Sequence, residues 1–464
     1  MTGRVERVII GLGALYVLAL GWAMVSVSYD VWGAFVLLPL VVVVTLILLR
    51  RVFPDEFSRM YTIAALGLAA KLVAVIIRYW VAFQSYGGYS DSGEYDLKAK
   101  ALVASIRSGA APLTSVIPAG TGTEFTERLT ASVYMVSGTS RLGGFFVFAM
   151  MAYWGAVFFL RAAMISVPGL SSRRYAVVVF FTPSILYWPA SIGKEAWLFL
   201  CLGIASYGVA KVLVGRWEPS TLLCLIAGLV GAGMVRPHFS AMWLAALVVA
   251  LMTGLFTRRS TTAERGRFVT VVLLGLFVGV LLAVGSASLR FIAQESAGDT
   301  AAPVSDQVTT LFASTAERTV EGGSGFAVVA INGPSDWPYA IARTLTRPLL
   351  NEASTIAELI PAIEMTAIFV LAVVSWRRLF NVFHVMRRSP YLVFAGVTLL
   401  AFGLAFASVG NLGILTRQRS LIMPMFLLPF AIPPRKPKRA ERPSADAGRT
   451  HSAGDTSSAA LIAR

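Results

Sequence analysis

The feature that most constrains this chain is a succession of apolar segments, about twelve of them, most roughly 17–23 residues long and able to cross the hydrocarbon of a bilayer as a helix. They fall near residues 8–27, 31–49, 61–83, 144–160, 175–192 and 196–214, then 221–235, 239–256, 268–289, 360–376, 391–409 and 421–432. The chain is 464 residues long and 56% hydrophobic, with a mean hydropathy of +0.72, more apolar side chain than a soluble core of that size hides. The expected fold class is all-α, a polytopic integral membrane protein. The fifth segment is broken by Pro183 and Pro189, and the short twelfth carries Pro424 and Pro429, so both read as partial or re-entrant crossings. The first segment lacks a small-residue cleavage site and is followed almost at once by the second, as expected of a retained anchor.

Orientation follows from the basic runs "RRVFPDEFSR", "RAAMISVPGLSSRR", "TRRSTTAERGR", "RRLFNVFHVMRR" and "PPRKPKRAERP", which fall on one alternate set of connections. The positive-inside rule places that set, and both termini, on the cytoplasmic side of the cell membrane. The formal charge of +16 is then topological, and no nucleic-acid partner is expected. Residues 1–433 form the membrane domain, and residues 434–464 read as a disordered basic tail whose start suits anionic lipid. Cys201 and Cys224 lie inside apolar runs and read as helix-packing residues. His238, His384 and His451 are too scattered for a histidine metal cluster. A divalent cation would fall to carboxylates, and the sequence does not require one.

Two long connections, about 84–143 and 290–359, fall on the outer side. The first opens with "YGGYSDSGEY" and continues as a helical pattern with Tyr95, Leu97, Ala101, Leu102 and Ile106 on one face, followed by a second mixed helix near 124–135. Such helices are expected to lie along the membrane surface. The second connection begins polar and ends "DWPYAIARTLTRPLLNEASTIAELIPAIE". Four shorter polar intrusions share that side: "WPASIGKEAW", "GMVRPHF", "RTLTRPLLNE" and "GNLGILTRQRS".

Each intrusion has a plain structural reading. Lys194 and Glu195 can pair or snorkel at a helix boundary, and Arg236 and His238 around Pro237 can be structural. Arg347 and Glu352 can form a local ion pair, and Arg417 and Arg419 can be cytoplasmic anchors if the topology slips by one span. Lys71 and Arg78, within the third span, can snorkel or meet Glu364. The sharper reading is that all of them share one face. There Gly193 and Lys194 open a helix suited to an anion, and arginines offer phosphate a planar two-donor fork. The candidate acids are Asp91, Glu94 and Glu195.

These stretches carry a resemblance. Asp91 and Tyr95 in "YSDSGEYDLKAKAL", with "PSILYWPASIGKEAW", "VRPH", "RPLLNEASTIAELIPAIE" and "NLGILTRQRSLIMP", resemble polytopic C-type glycosyltransferases and the related O-antigen and exopolysaccharide polymerase-like membrane proteins. The likeness covers most of residues 60–432. It departs from many C-type enzymes in placing the first large external loop after the third span rather than the first. The resemblance implies a polyprenyl-phosphate or pyrophosphate sugar donor in the bilayer and a glycan acceptor outside. Catalytic residues would come from Asp91, Glu94 and His238. Substrate-binding residues would be Tyr95, Lys194, Glu195, Arg236, Arg347, Glu352, Arg417 and Arg419. A secondary transporter or flippase for a lipid-linked or anionic solute is the alternative, given the proline-broken helices and Lys71. A structural scaffold would leave the charge clusters without a role.

Overall fold

A computed structural model of the protein describes residues 2–54, 57–257, 333–353 and 355–435, with Gly275, Val278, Gly279 and Leu282 as isolated positions. Among these residues all extended regular structure is helical. The N-terminal half contains α1 (Thr2–Ser26), α2 (Tyr29–Val52), α3 (Phe57–Trp80), α4 (Asp91–Arg107), α5 (Thr123–Ser137) and α6 (Arg141–Ser166). Then follow α7 (Ser172–Phe181), α8 (Pro183–Tyr187), α9 (Lys194–Leu213), α10 (Pro219–Val235) and α11 (Pro237–Thr257). After the interval come α12 (Trp337–Thr346), α13 (Ile356–Val374), α14 (Trp376–Met386), α15 (Pro390–Ala405), α16 (Leu412–Arg419) and α17 (Met423–Leu427).

Among the described residues five stretches are long and apolar enough to cross a membrane: Tyr29–Val52, Arg59–Ser85, Arg141–Ser166, Lys194–Leu213 and Pro237–Gly254. A sixth is reached if Glu358–Val374 and Trp376–Met386, bent by 77°, count as one. Gly13–Ser26, Pro219–Val235 and Pro390–Ala405 are shorter apolar helices. Most of the expected ninth segment, 268–289, most of the loop 290–359 and the tail beyond 435 lie outside the described residues. The fifth and twelfth segments are broken where their prolines fall. Thr182, ahead of Pro183, adopts an extended ψ of 124° that ends α7, as the clash with a following proline ring requires. In the twelfth, α17 gives way to a 3-10 turn, Leu428–Ala431. The two broken elements pack together, and the Tyr175 hydroxyl donates to the Pro424 carbonyl at 2.8 Å.

The centre is α6 against α9. They approach until a Cβ placed on Gly203 would stand 2.4 Å from the Gly155 carbonyl oxygen, the small-residue contact that lets helix backbones meet in a bilayer. Around them the ends of the molecule separate. At one end the Ser140 hydroxyl donates to Asp30 O at 3.1 Å, Gly122 N–H to Met234 O at 2.8 Å and Arg419 to Leu345 O at 3.3 Å. At the other, Ser171 N–H reaches Ala431 O at 2.9 Å and the Ser389 hydroxyl reaches Ser166 O at 2.8 Å.

Two expectations are corrected. The inward face of α4 is Ser92, Tyr95, Asp96, Ala99 and Val103, whereas Leu97 and Ala101 are exposed. The cause is a buried charge cluster: Asp96 accepts from Arg141 Nε at 2.7 Å and from the Tyr134 hydroxyl at 2.5 Å, with Lys100 at 3.1 Å. Asp30 on α2 joins through Lys100 at 2.5 Å, so the knot ties α2, α4, α5 and α6. Lys71 and Arg78 do not pair with Glu364. Lys71 donates to Ile185 O and Leu186 O at 3.1 and 3.0 Å, and Arg78 to the Tyr187 hydroxyl at 3.0 Å. Glu364 accepts from Ser184 N–H and its hydroxyl, both at 2.7 Å. The short α8 thus has the Glu364 carboxyl group at its amide end and the Lys71 amine at its carbonyl end, which satisfies groups that lipid cannot.

Candidate functional site

Three helix termini meet at the first end of the molecule, each bearing the charge its backbone dipole favours. Asp91 is the first residue of α4 and Glu195 the second of α9, at amino termini. Arg417 and Arg419 occupy the last turn of α16. Asn411 starts α16 by accepting the Ile414 N–H at 3.1 Å, which fixes how that helix presents its arginines.

Arg417 is the hub. Its Nη2 lies 2.7 Å from an Asp91 carboxylate oxygen and its Nε 2.6 Å from Glu195 Oε1. The same Glu195 oxygen stands 3.3 Å from Arg236 Nη2, and Arg236 also donates to the Gln418 side chain. Burial is graded along this chain: the Glu195 side chain is 5% exposed, Arg417 23% and Asp91 56%. Glu195 is therefore an internal counter-ion, while Asp91 is the member that solvent or a ligand reaches first. Lys194 donates to the Thr123 hydroxyl at 2.9 Å, within electrostatic reach of Arg236, Glu195, Asp91 and Arg417. Tyr95 is buried between Thr123 and the Gly193 turn.

The electrostatics follow from burial and these neighbours. Burial, then the Asp91 and Glu195 carboxylates, push the Tyr95 phenol above its ordinary range, so it stays protonated and able to donate. Burial lowers Arg236, and the Glu195 carboxylate only partly opposes this. Burial would lower Arg417 as well, but Glu195 and Asp91 outweigh it and hold the guanidinium above its usual value.

Asp91, Glu195, Arg236 and Arg417 thus converge, with Lys194 and Tyr95 beside them. The other candidates stand apart from this ion-pair chain. Glu94 is exposed, with its charge felt by Lys98 on the same helix. His238 packs against Phe239 and Phe406, ring centroids 5.0 and 5.7 Å away, and its Nε2 is buried with no hydrogen-bond partner among the described residues. Arg347 and Glu352 form a local pair at 2.6 Å. Partial burial would raise the Glu352 carboxyl, but Arg347 and the Leu349 N–H hold it below the usual carboxylate range. Arg419 is buried and donates to Leu345 O at 3.3 Å and to the Arg347 carbonyl, so it anchors the backbone of that loop.

Gln418 and Thr123 join the site without having been singled out in the sequence. Gln418 sits between the two arginines in "RQR", a position that gave a signal; Thr123 gave none. Among the described residues no group of three histidine, cysteine, aspartate or glutamate side chains is placed to hold a metal ion. A groove of about 560 Å³ opens beside α4, lined by Lys100, Val103, Ala104, Arg107, Ser108 and Thr139. No family model matches the chain, and no curated protein or solved structure is significantly similar to it.

Proposed function

We propose that the protein is a membrane-embedded glycosyltransferase or polysaccharide polymerase. It would draw a polyprenyl-phosphate or pyrophosphate sugar donor from the bilayer and transfer the sugar to a glycan acceptor outside the cell membrane. Twelve crossings, cytoplasmic termini and an outward-facing site belong to the same proposal. The observation that carries it is the Asp91–Arg417–Glu195–Arg236 chain: a reachable carboxylate joined to a guanidinium pair that a buried carboxylate holds in place. Arginine at a dry, preorganised site stabilises the charge that develops on a departing phosphate.

In this reading donor phosphate and Asp91 compete for Arg417. A phosphate that takes the Arg417 fork frees Asp91, which accepts the proton of the acceptor hydroxyl while that oxygen bonds to the anomeric carbon. The anomeric carbon–oxygen bond breaks, and its electron pair leaves with the phosphate held by Arg417, Arg236 and Lys194. Glu195 positions both arginines, and Tyr95 remains a donor at the edge of the site. Asp91 is preferred to Glu94 and His238 because it alone of the three contacts the guanidinium chain. Arg419, Arg347 and Glu352 shape the neighbouring loop.

The test uses purified protein and synthetic polyprenyl-linked sugars. Wild type should extend a glycan acceptor, and Asp91→Asn should slow extension by about 10²–10⁴-fold, the usual range for a general base. Arg417→Ala should weaken donor binding as well as turnover. Extension undiminished in both variants sinks the site assignment. The second reading, a transporter or flippase, draws on the proline-started α8, held at its two ends by Glu364 and Lys71. Uptake of solute into sealed vesicles with no glycan product would favour it.

A further inference from the structure

The end of the molecule opposite Arg417 carries a feature that the chemistry above does not use. At Ser375 the chain leaves α13 and turns by 77° into α14, so α14 lies close to the membrane plane when α13 crosses it. One face of α14 is bolted to the protein. Arg378 donates to Ile432 O at 3.2 Å and Asn381 to Pro433 O at 2.8 Å, while Leu379, Val382, Val385 and Met386 pack into the core. The other face is an apolar ridge. Trp376, Phe380 and Phe383 follow one another at helical spacing and are 53%, 70% and 68% exposed. Three large side chains on one stripe of a fixed helix form a patch that needs an apolar surrounding.

The ridge is flanked by charge of one sign. Arg377 lies over the Trp376 ring at 5.3 Å, and Arg387 and Arg388 are exposed beyond Phe383. The stretch "SWRRLFNVFHVMRRS" contains no acid, and Glu218, at this end of the molecule, is held by Lys211 at 3.2 Å. We infer that the Trp376–Phe380–Phe383 face of α14 and its arginines are a docking surface for anionic phospholipid, with the rings in the acyl region and the guanidiniums on the phosphates. Charge decides the occupant. A second copy would set one set of arginines against another, and a zwitterionic head group leaves the guanidiniums without a net partner. This holds whether or not the Asp91 end transfers sugars.

The full-length protein is placed in nanodiscs carrying acyl-brominated phosphatidylglycerol or, at equal mole fraction, acyl-brominated phosphatidylcholine. The contribution of Trp376 is the tryptophan quenching lost in Trp376→Phe. It should be several-fold larger with brominated phosphatidylglycerol. In the combined Arg377→Gln, Arg387→Gln, Arg388→Gln variant that preference should vanish while quenching by phosphatidylcholine persists, which shows that the helix is still in place. Equal quenching by the two lipids in wild type overturns the anionic preference. Absence of Trp376 quenching with both, together with disulfide cross-linking between copies through Phe383→Cys, overturns the lipid surface in favour of a protein contact.

Discussion

Glu195 holds two guanidinium groups on a single oxygen while almost wholly buried, and so the site depends on it structurally as well as chemically. Neutralising it leaves Arg417 and Arg236 without their internal counter-ion. Glu195→Gln should lower stability by about 3–5 kcal/mol, the usual penalty for stripping one partner from a buried pair, read as a lower unfolding midpoint in detergent. An unchanged midpoint would make the buried pair energetically idle. At this scale the sequence was partly legible. Asp91, Glu195, Arg236 and Arg417 were visible as charges at the ends of apolar runs, where charge is costly and needs a reason. Their pairing was not, because Asp91 and Arg417 are 326 positions apart and only the tertiary fold joins them. The acids of "SDSGEYD" take three different fates: Asp91 meets Arg417, Glu94 faces outward, and Asp96 is buried in the α2–α4–α5–α6 knot. Composition treats all three alike, and only their partners distinguish them.

Among the elements, the prolines were the legible part. Pro183, Pro424 and Pro429 marked the two segments that break, and those segments pack against each other beside the pinned α8. The buried face of α4 was illegible because Asp96, with Arg141 and Lys100 around it, reverses the hydrophobic pattern that periodicity assumes. The α6–α9 seam was also hidden, since a glycine in an apolar run signals close packing only when its neighbour is known. Gly203→Val places side-chain atoms against the Gly155 carbonyl, which a Cβ alone would already approach to 2.4 Å. The clash is with backbone, which cannot swing aside. The substitution should destabilise the protein by about 1–3 kcal/mol, seen as reduced detergent-resistant folded protein and a lower melting temperature. A variant as stable as wild type would mean that the two helices can separate without loss.

The whole molecule is polarised. One end gathers the Asp30–Asp96 knot and the Arg417 chain, and the other carries Arg50, Arg51, Arg173, Arg174, Arg387 and Arg388, with α14 laid along its margin. The membrane class was legible from hydropathy alone. The number of crossings was less so, because length and apolarity do not separate a full span from two short helices broken by proline. The proposed function sets which way this polarity points. The proposed sugar transfer from a polyprenyl carrier outside the cell requires the Asp91 end to face outward, as the positive-inside rule predicts. The direct measurement is labelling of single cysteines by a membrane-impermeant maleimide in intact cells, in a chain whose Cys201 and Cys224 are replaced by alanine. Tyr89→Cys, beside Asp91, should react in intact cells, and Arg216→Cys, at the opposite end, only after the membrane is permeabilised. The reverse pattern would put the Arg417 site in the cytoplasm and contradict an extracytoplasmic transferase.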